Sequence, residues 1–203
     1  MIFNSTPSAT RKCRCSDSLT WDSLIAVIAV FVLVCATWTR RAEAIDGVAI
    51  EYGATTDAAT EMVRAALQWS WSRQWREHAD WRGSGYWDVS IGYWNNNENL
   101  KTNSGLWELS ATPVFRLERS AQGRAFPYLE AGVGVYLLSQ TSEAPDRRFS
   151  TSFQFGSHIG LGARFGPRHA FDAALRYQHI SNANIQLPNN GVNCVQLRVG
   201  YWF

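Results

Sequence analysis

From Val48 onward the chain alternates between bulky apolar side chains and polar or small ones. Near its end, Val195, Leu197, Val199, Tyr201 and Phe203 alternate with Cys194, Gln196, Arg198, Gly200 and Trp202. Residues 151–165 set Phe153, Phe155, Ile159, Leu161, Ala163 and Phe165 against Gln154, Gly156, His158, Gly160, Gly162 and Arg164. Residues 128–137 set Leu129, Ala131, Val133, Val135 and Leu137 against Tyr128, Glu130, Gly132, Gly134 and Tyr136. The same pattern runs through 107–117, 86–93 and 63–71, with a shorter run at Val48, Ile50 and Tyr52 and another over 169–181. Successive side chains of a strand point to opposite faces, so each run predicts a strand with one apolar face. There are eight such runs. Turn signals separate them: "NNNEN" at 95–99, "SAQGR" at 120–124, "EAPDRR" at 143–148, "GPRH" at 166–169 and "PNNG" at 188–191. Pro113 falls inside a run and predicts a bulge or a barrel bend.

Eight alternating strands fit either a soluble barrel with an apolar interior or an outer-membrane barrel with an apolar exterior. The second face decides between them. It combines glycines with Arg116, Glu130, Arg164, Asp172, Arg176 and Arg198, as a small, tightly filled lumen requires. The first face is bulky and apolar, with Trp and Tyr near strand ends, as lipid contact requires. The predicted class is all-β: an eight-stranded antiparallel transmembrane β-barrel over residues 45–203. The closing "GYWF" is similar to the terminal aromatic strand by which such barrels are recognised for assembly.

Residues 1–44 break the pattern. Leu24 to Val34 is an apolar stretch of 11 residues, preceded by Arg11, Lys12 and Arg14 and followed by "AEA" at 42–44. That is the layout of a secretory signal peptide, and it is short of the about 20 apolar residues of a membrane helix. Cleavage after Ala44 removes five basic and three acidic residues from the 19 and 17 of the whole chain, leaving 14 of each. A neutral mature chain gives no footprint for nucleic acid. It also loses Cys13, Cys15 and Cys35, so Cys194 alone cannot form an intramolecular disulfide, and no cysteine-based zinc pattern remains. Charged residues make up 18%, below the about 25% of soluble domains, yet mean hydropathy is -0.22. Apolar residues are therefore interleaved, not blocked together.

The run at 169–181 carries candidate chemistry. Its odd positions are Phe171, Ala173, Leu175, Tyr177, His179 and Ser181, so the histidine and the serine share the lipid-facing side. Asn193 has the parity of Val195 and is expected on the same face at the same height. With the N-terminus in the periplasm, this seventh strand runs outward and its end lies in the outer leaflet. A His and a Ser there read either as interfacial polar residues or as a reactive pair, since polar groups on a lipid face are costly unless they serve a function.

The stretch "HISNANIQLPNNGVN" resembles the signature of the outer-membrane lipid A 3-O-deacylase family (PagL type): His-x-Ser-Asn-Ala, a Pro-Asn-x-Gly loop and a final barrel strand. "GYWD" at 85–88, "PVF" at 113–115 and "LEAGVGV" at 129–135 also fit. The resemblance implies hydrolysis of the ester-linked acyl chain at the 3-position of lipid A, with lipopolysaccharide as substrate in the bacterial outer membrane. Ser181 would be the nucleophile and His179 the general base. Asn182 and the backbone N–H groups around Ala183 and Asn184 are oxyanion candidates. Asn189 fixes the loop or is a simple turn residue. Asn193 stands where the family has a carboxylate. It can orient the imidazole but not stabilise its charge. The competing expectation is therefore a weak or inactive barrel with a structural or adhesive role. A homodimer is left open, and neither a metal nor a cofactor is expected.

Overall fold

The structure is a computed structural model that describes residues 44–56, 60–73, 75–76, 80–96, 105–119, 124–144 and 147–203. The expected signal peptide therefore lies outside the described residues, apart from Ala44. Eight long strands follow: β1 (Gly47–Thr55), β2 (Thr60–Ser70), β3 (Trp81–Asn96), β4 (Leu106–Arg119), β5 (Ala125–Leu138), β6 (Phe153–Phe165), β7 (Phe171–Ser181) and β8 (Val192–Trp202). Each pairs antiparallel with its sequence neighbours, and β8 pairs with β1, which closes the barrel. The shortest has nine residues, enough for a tilted strand to cross a membrane.

Three short strands go beyond the sequence pattern. Trp75–Arg76 extends the β2–β3 hairpin against Arg82 and Gly83, and Ser142–Ala144 pairs with Arg147–Arg148 in the β5–β6 connection. The bulge expected at Pro113 is absent. Ala111 faces Val135 and Val114 faces Gly132, one unbroken register, and Pro113 faces Trp87 on the other side. The β4–β5 pairing lapses only at Thr112 and Pro113, where proline has no N–H to give.

The inward faces build three layers. At the end that carries His179, Met62, Trp94, Leu106, Tyr136, Leu138, Phe149, Ile180, Val192 and Cys194 form an apolar plug. At the opposite end Tyr86, Val114 and Trp202 pack together. Between them lies a buried ion-pair network. Glu51 accepts from Arg64 at 2.7 Å, from Arg176 at 2.6 Å and from Arg198 at 3.1 Å. Arg64 also grips Glu108 with two N–H groups, at 2.8 and 3.0 Å. Asp172 accepts from Arg116, Arg198 and the Trp202 indole. Charges this deep persist only when paired and hydrogen-bonded, and these are.

The outward faces are apolar: Val133, Ile159 and Leu161 are 65%, 66% and 62% exposed. Aromatic residues gather toward the strand ends. Phe165 stacks on Phe171, Phe171 meets Tyr201 and Tyr201 meets Phe203 edge-on at one end, and Tyr93 meets Trp107 at the other. An apolar wall between aromatic belts is the surface a barrel presents to lipid.

Candidate active site

Parity and register together assemble the site. On β7, Asp172, Arg176 and Gln178 point inward and are buried, so Tyr177, His179 and Ser181 point outward. Ile180 is fully buried in the apolar plug and fixes this phase. Across the β7–β8 ladder His179 faces Asn193. The two side chains meet, with His179 Nδ1 and Asn193 Oδ1 2.8 Å apart. An amide oxygen accepts and cannot donate, so Nδ1 carries the proton in this contact. Nε2 is then left with a free lone pair, which is the base a serine needs.

Asn193 is held from behind. Its backbone carbonyl accepts from the Thr56 N–H at 2.9 Å, which ties the β1–β2 loop to the site. Gly191 lies beside the ring. A Cβ there would sit 2.9 Å from His179 Cε1 and 3.4 Å from Nε2. Its φ of 61° is also in the left-handed region, where glycine is at ease. Ile180 faces Val192, the last pair of the ladder, and Gly191 is the loop residue just before it. The Cε1–Nε2 edge of the imidazole is thus turned toward Gly191. Ser181 itself is half-buried and makes no side-chain hydrogen bond among the described residues. Catalytic hydrogen bonds are often loose before substrate arrives.

The structure gives the loop asparagines distinct jobs. Asn182 turns its side chain inward, and its Nδ2 donates to the carbonyls of Phe149 and Gln186, each at 2.8 Å. Its backbone N–H donates to Asn189 Oδ1 at 3.1 Å. Asn182 therefore has no donor left for an oxyanion and acts as the anchor between the site loop and the β5–β6 connection. Asn189 spans the loop, also donating to Asn184 Oδ1 at 3.0 Å. Ala183 and Asn184 both have positive φ, 54° and 62°, and the Ile185 N–H closes the turn on the Asn182 carbonyl. Two central residues of that kind make a type I′ turn. The N–H groups of Ala183 and Asn184 donate to no described residue. Successive N–H groups in such a turn form a concavity suited to negative charge.

Sequence reasoning missed three supports of the site. Thr56, Phe149 and Gly191 act through a backbone N–H, a carbonyl and an absent side chain, and none of these is written in residue type. Gly191 alone had a signal, as part of "PNNG", but that reads as a turn. The described residues hold no cluster of His, Cys, Asp and Glu suited to a metal. Cys194 is buried and forms no disulfide.

An outward histidine, serine and amide on the apolar wall of a small barrel can be compared with known proteins. The Lipid A deacylase PagL of Bordetella bronchiseptica is 40% identical over 116 residues, covering 57% of this chain and 61% of that protein. The Lipid A deacylase PagL of Pseudomonas aeruginosa is 31% identical over 170 residues, covering 84% of this chain and 93% of that protein. The crystal structure of the outer membrane enzyme PagL superposes with a TM-score of 0.68 at 31% identity, covering 77% of this chain and 99% of that one. Residues 61–202 match the family described as Lipid A 3-O-deacylase (PagL), and the chain belongs to that family.

Proposed function

We propose that the protein is a lipid A 3-O-deacylase of the bacterial outer membrane that works from its own lipid-facing wall. The observation that carries this reading is the His179–Asn193 contact on the outward face, two residues from Ser181 and near one end of an apolar surface. A substrate reaching that face arrives through the lipid layer, not through the lumen, which paired charges fill. Family membership supplies the bond: the ester at the 3-position of lipid A.

The chemistry follows from the geometry. Asn193 Oδ1 holds the Nδ1–H tautomer, and Nε2 takes the Ser181 proton as Oγ attacks the ester carbonyl. The N–H groups of Ala183 and Asn184, which donate to no described residue, would serve the oxyanion that develops. The imidazolium then protonates the departing sugar oxygen. An amide orienter secures tautomer and aim without offering a negative charge to the imidazolium, so the enzyme is slower than one with a carboxylate there. A leader over residues 1–44, removed on export, would deliver the barrel to the periplasm.

Mass spectrometry of lipid A from cells that insert the protein is the test. We expect loss of one 3-hydroxyacyl chain, and no loss with Ser181→Ala. Unchanged lipid A beside a properly inserted wild-type barrel would leave a structural or adhesive role in its place.

A further inference from the structure

One outward side chain interrupts the apolar wall next to the site. On β5 and β6 the outward residues are Ala125, Pro127, Leu129, Ala131, Val133, Val135 and Leu137, then Phe153, Phe155, Ser157, Ile159, Leu161, Ala163 and Phe165. All are apolar except Ser157. It is exposed, and its hydroxyl makes no hydrogen bond among the described residues. A hydroxyl without a partner on an apolar face is costly. The register gives it a place: Ser157 lies directly opposite His179, on the side away from Asn193. Ser181 faces Phe155, so Ser157 is also its diagonal neighbour.

The reaction has one reagent that lipid does not supply. Attack by Ser181 Oγ breaks the bond from carbonyl carbon to sugar oxygen and leaves the acyl group on the serine. The proton passes through His179 to the sugar hydroxyl. Release then requires a water whose oxygen bonds to the acyl carbon while the Ser181 Oγ bond breaks. Its proton goes to His179 Nε2 and on to Oγ, leaving the free fatty acid. On an apolar wall that water needs a polar group to hold it beside the imidazole.

We propose that Ser157 holds the hydrolytic water for the deacylation half of the reaction. The proposal rests on the deacylase reading above. Directly opposed side chains have Cβ atoms about 4.5–5.5 Å apart and diagonal ones about 7–8 Å. A single water bonded to Ser157 Oγ therefore spans toward both the ring and an acyl carbonyl on Ser181. Asn193 occupies one flank of His179, and Ser157 stands on the other.

The experiment uses the purified full-length barrel in detergent micelles containing lipid A, comparing wild type with Ser157→Val and Ser157→Thr. Turnover is followed together with intact-protein mass, which detects an acyl group left on the enzyme. Ser157→Val should lower kcat about tenfold, the scale of one hydrogen bond. KM should fall with it, leaving kcat/KM, which reports acylation, nearly unchanged. Acylated Ser181 should accumulate, and Ser157→Thr should restore turnover. Unchanged kcat in Ser157→Val would overturn the proposal. So would a fall in kcat/KM without acyl-enzyme, because the hydroxyl would then serve acylation. A wild-type protein that neither turns over nor acylates would remove the deacylase reading itself.

Discussion

The two faces of β7 carry polar groups under opposite terms. Inward, Asp172, Arg176 and Gln178 are buried and every one is bonded: Arg176 alone reaches Glu130 at 2.7 Å, Glu51 at 2.6 Å and Tyr86 at 2.8 Å. Outward, His179 has one side-chain partner, and Ser181 has none among the described residues. These inner groups of β7 are engaged with one another's neighbours in the lumen and are sealed from the lipid. The outer groups are undersatisfied on a surface that disfavours them, which is the condition of a reactive site. Charge density alone would have pointed to the lumen; polar groups open to the lipid point to the wall.

Substitutions on each face should separate these roles. The largest effect is expected outside. Ser181→Ala and His179→Ala should each lower deacylation by at least about 10³-fold, as removal of a nucleophile or base does in other serine hydrolases. The barrel should remain folded, because neither outward side chain packs the core. Lipid A mass spectrometry alongside the heat-dependent gel shift of a folded barrel checks both halves. Retained deacylation in Ser181→Ala would end the assignment of roles on this face.

The inner face should answer in stability. Glu51 is shared by three arginines, so Glu51→Ala leaves Arg64, Arg176 and Arg198 short of a counter-charge in a buried setting. Breaking a buried ionic cluster by removing one member costs about 3–5 kcal/mol. The urea midpoint in lipid vesicles should fall accordingly, while turnover per folded molecule stays near wild type. Equal losses of turnover per folded barrel in Glu51→Ala and Ser181→Ala would erase the distinction between the faces.

Asn193 sharpens the comparison, since it brings a neutral partner to an exposed histidine where the inner face uses charges. Asn193→Ala should lower turnover about 10- to 100-fold by freeing the ring and its tautomer. Asn193→Glu should hold or raise it, because a carboxylate also stabilises the imidazolium. The gain grows as water is excluded, since charge interactions strengthen in a dry site. Turnover of both variants on lipid A checks this. Two unchanged rates would leave a Ser181–His179 dyad without Asn193.

Much of this organisation is legible from parity. Alternation separates Arg176 from Tyr177 and sets His179, Ser181 and Asn193 on one face, because a strand's period of two is fixed by its backbone. Register is less legible. That Ser157 stands opposite His179 depends on the turn between Phe165 and Phe171, where Arg168 and His169 both take positive φ. The role of Asn182 is illegible for a related reason. Its parity is inward, and its partners are carbonyls of Phe149 and Gln186, brought close by loops that no periodicity describes. Pro113 stays in register because a proline in a two-sided ladder can be skipped by one neighbour and kept in line by the other.

Gly191 should give the smallest of these effects, and it tests whether room, as well as bonding, sets the outer face apart. The imidazole lies where a side chain at 191 would project, 2.9 Å from Cε1. Gly191→Ala must therefore move the ring or the loop. The left-handed φ adds a backbone cost of about 1–2 kcal/mol to any L-residue there. A shift of several tenths of an ångström keeps the His179–Asn193 contact but re-aims Nε2, so about a tenfold fall in kcat is expected with KM little changed. Gly191→Asn separates strain from crowding, since asparagine tolerates positive φ but still carries a Cβ. If crowding governs, both variants lose turnover alike. If strain governs, Gly191→Asn recovers most of it, and the glycine serves the loop instead of the histidine. Steady-state kinetics on lipid A, with thermal stability measured in parallel, decides between them.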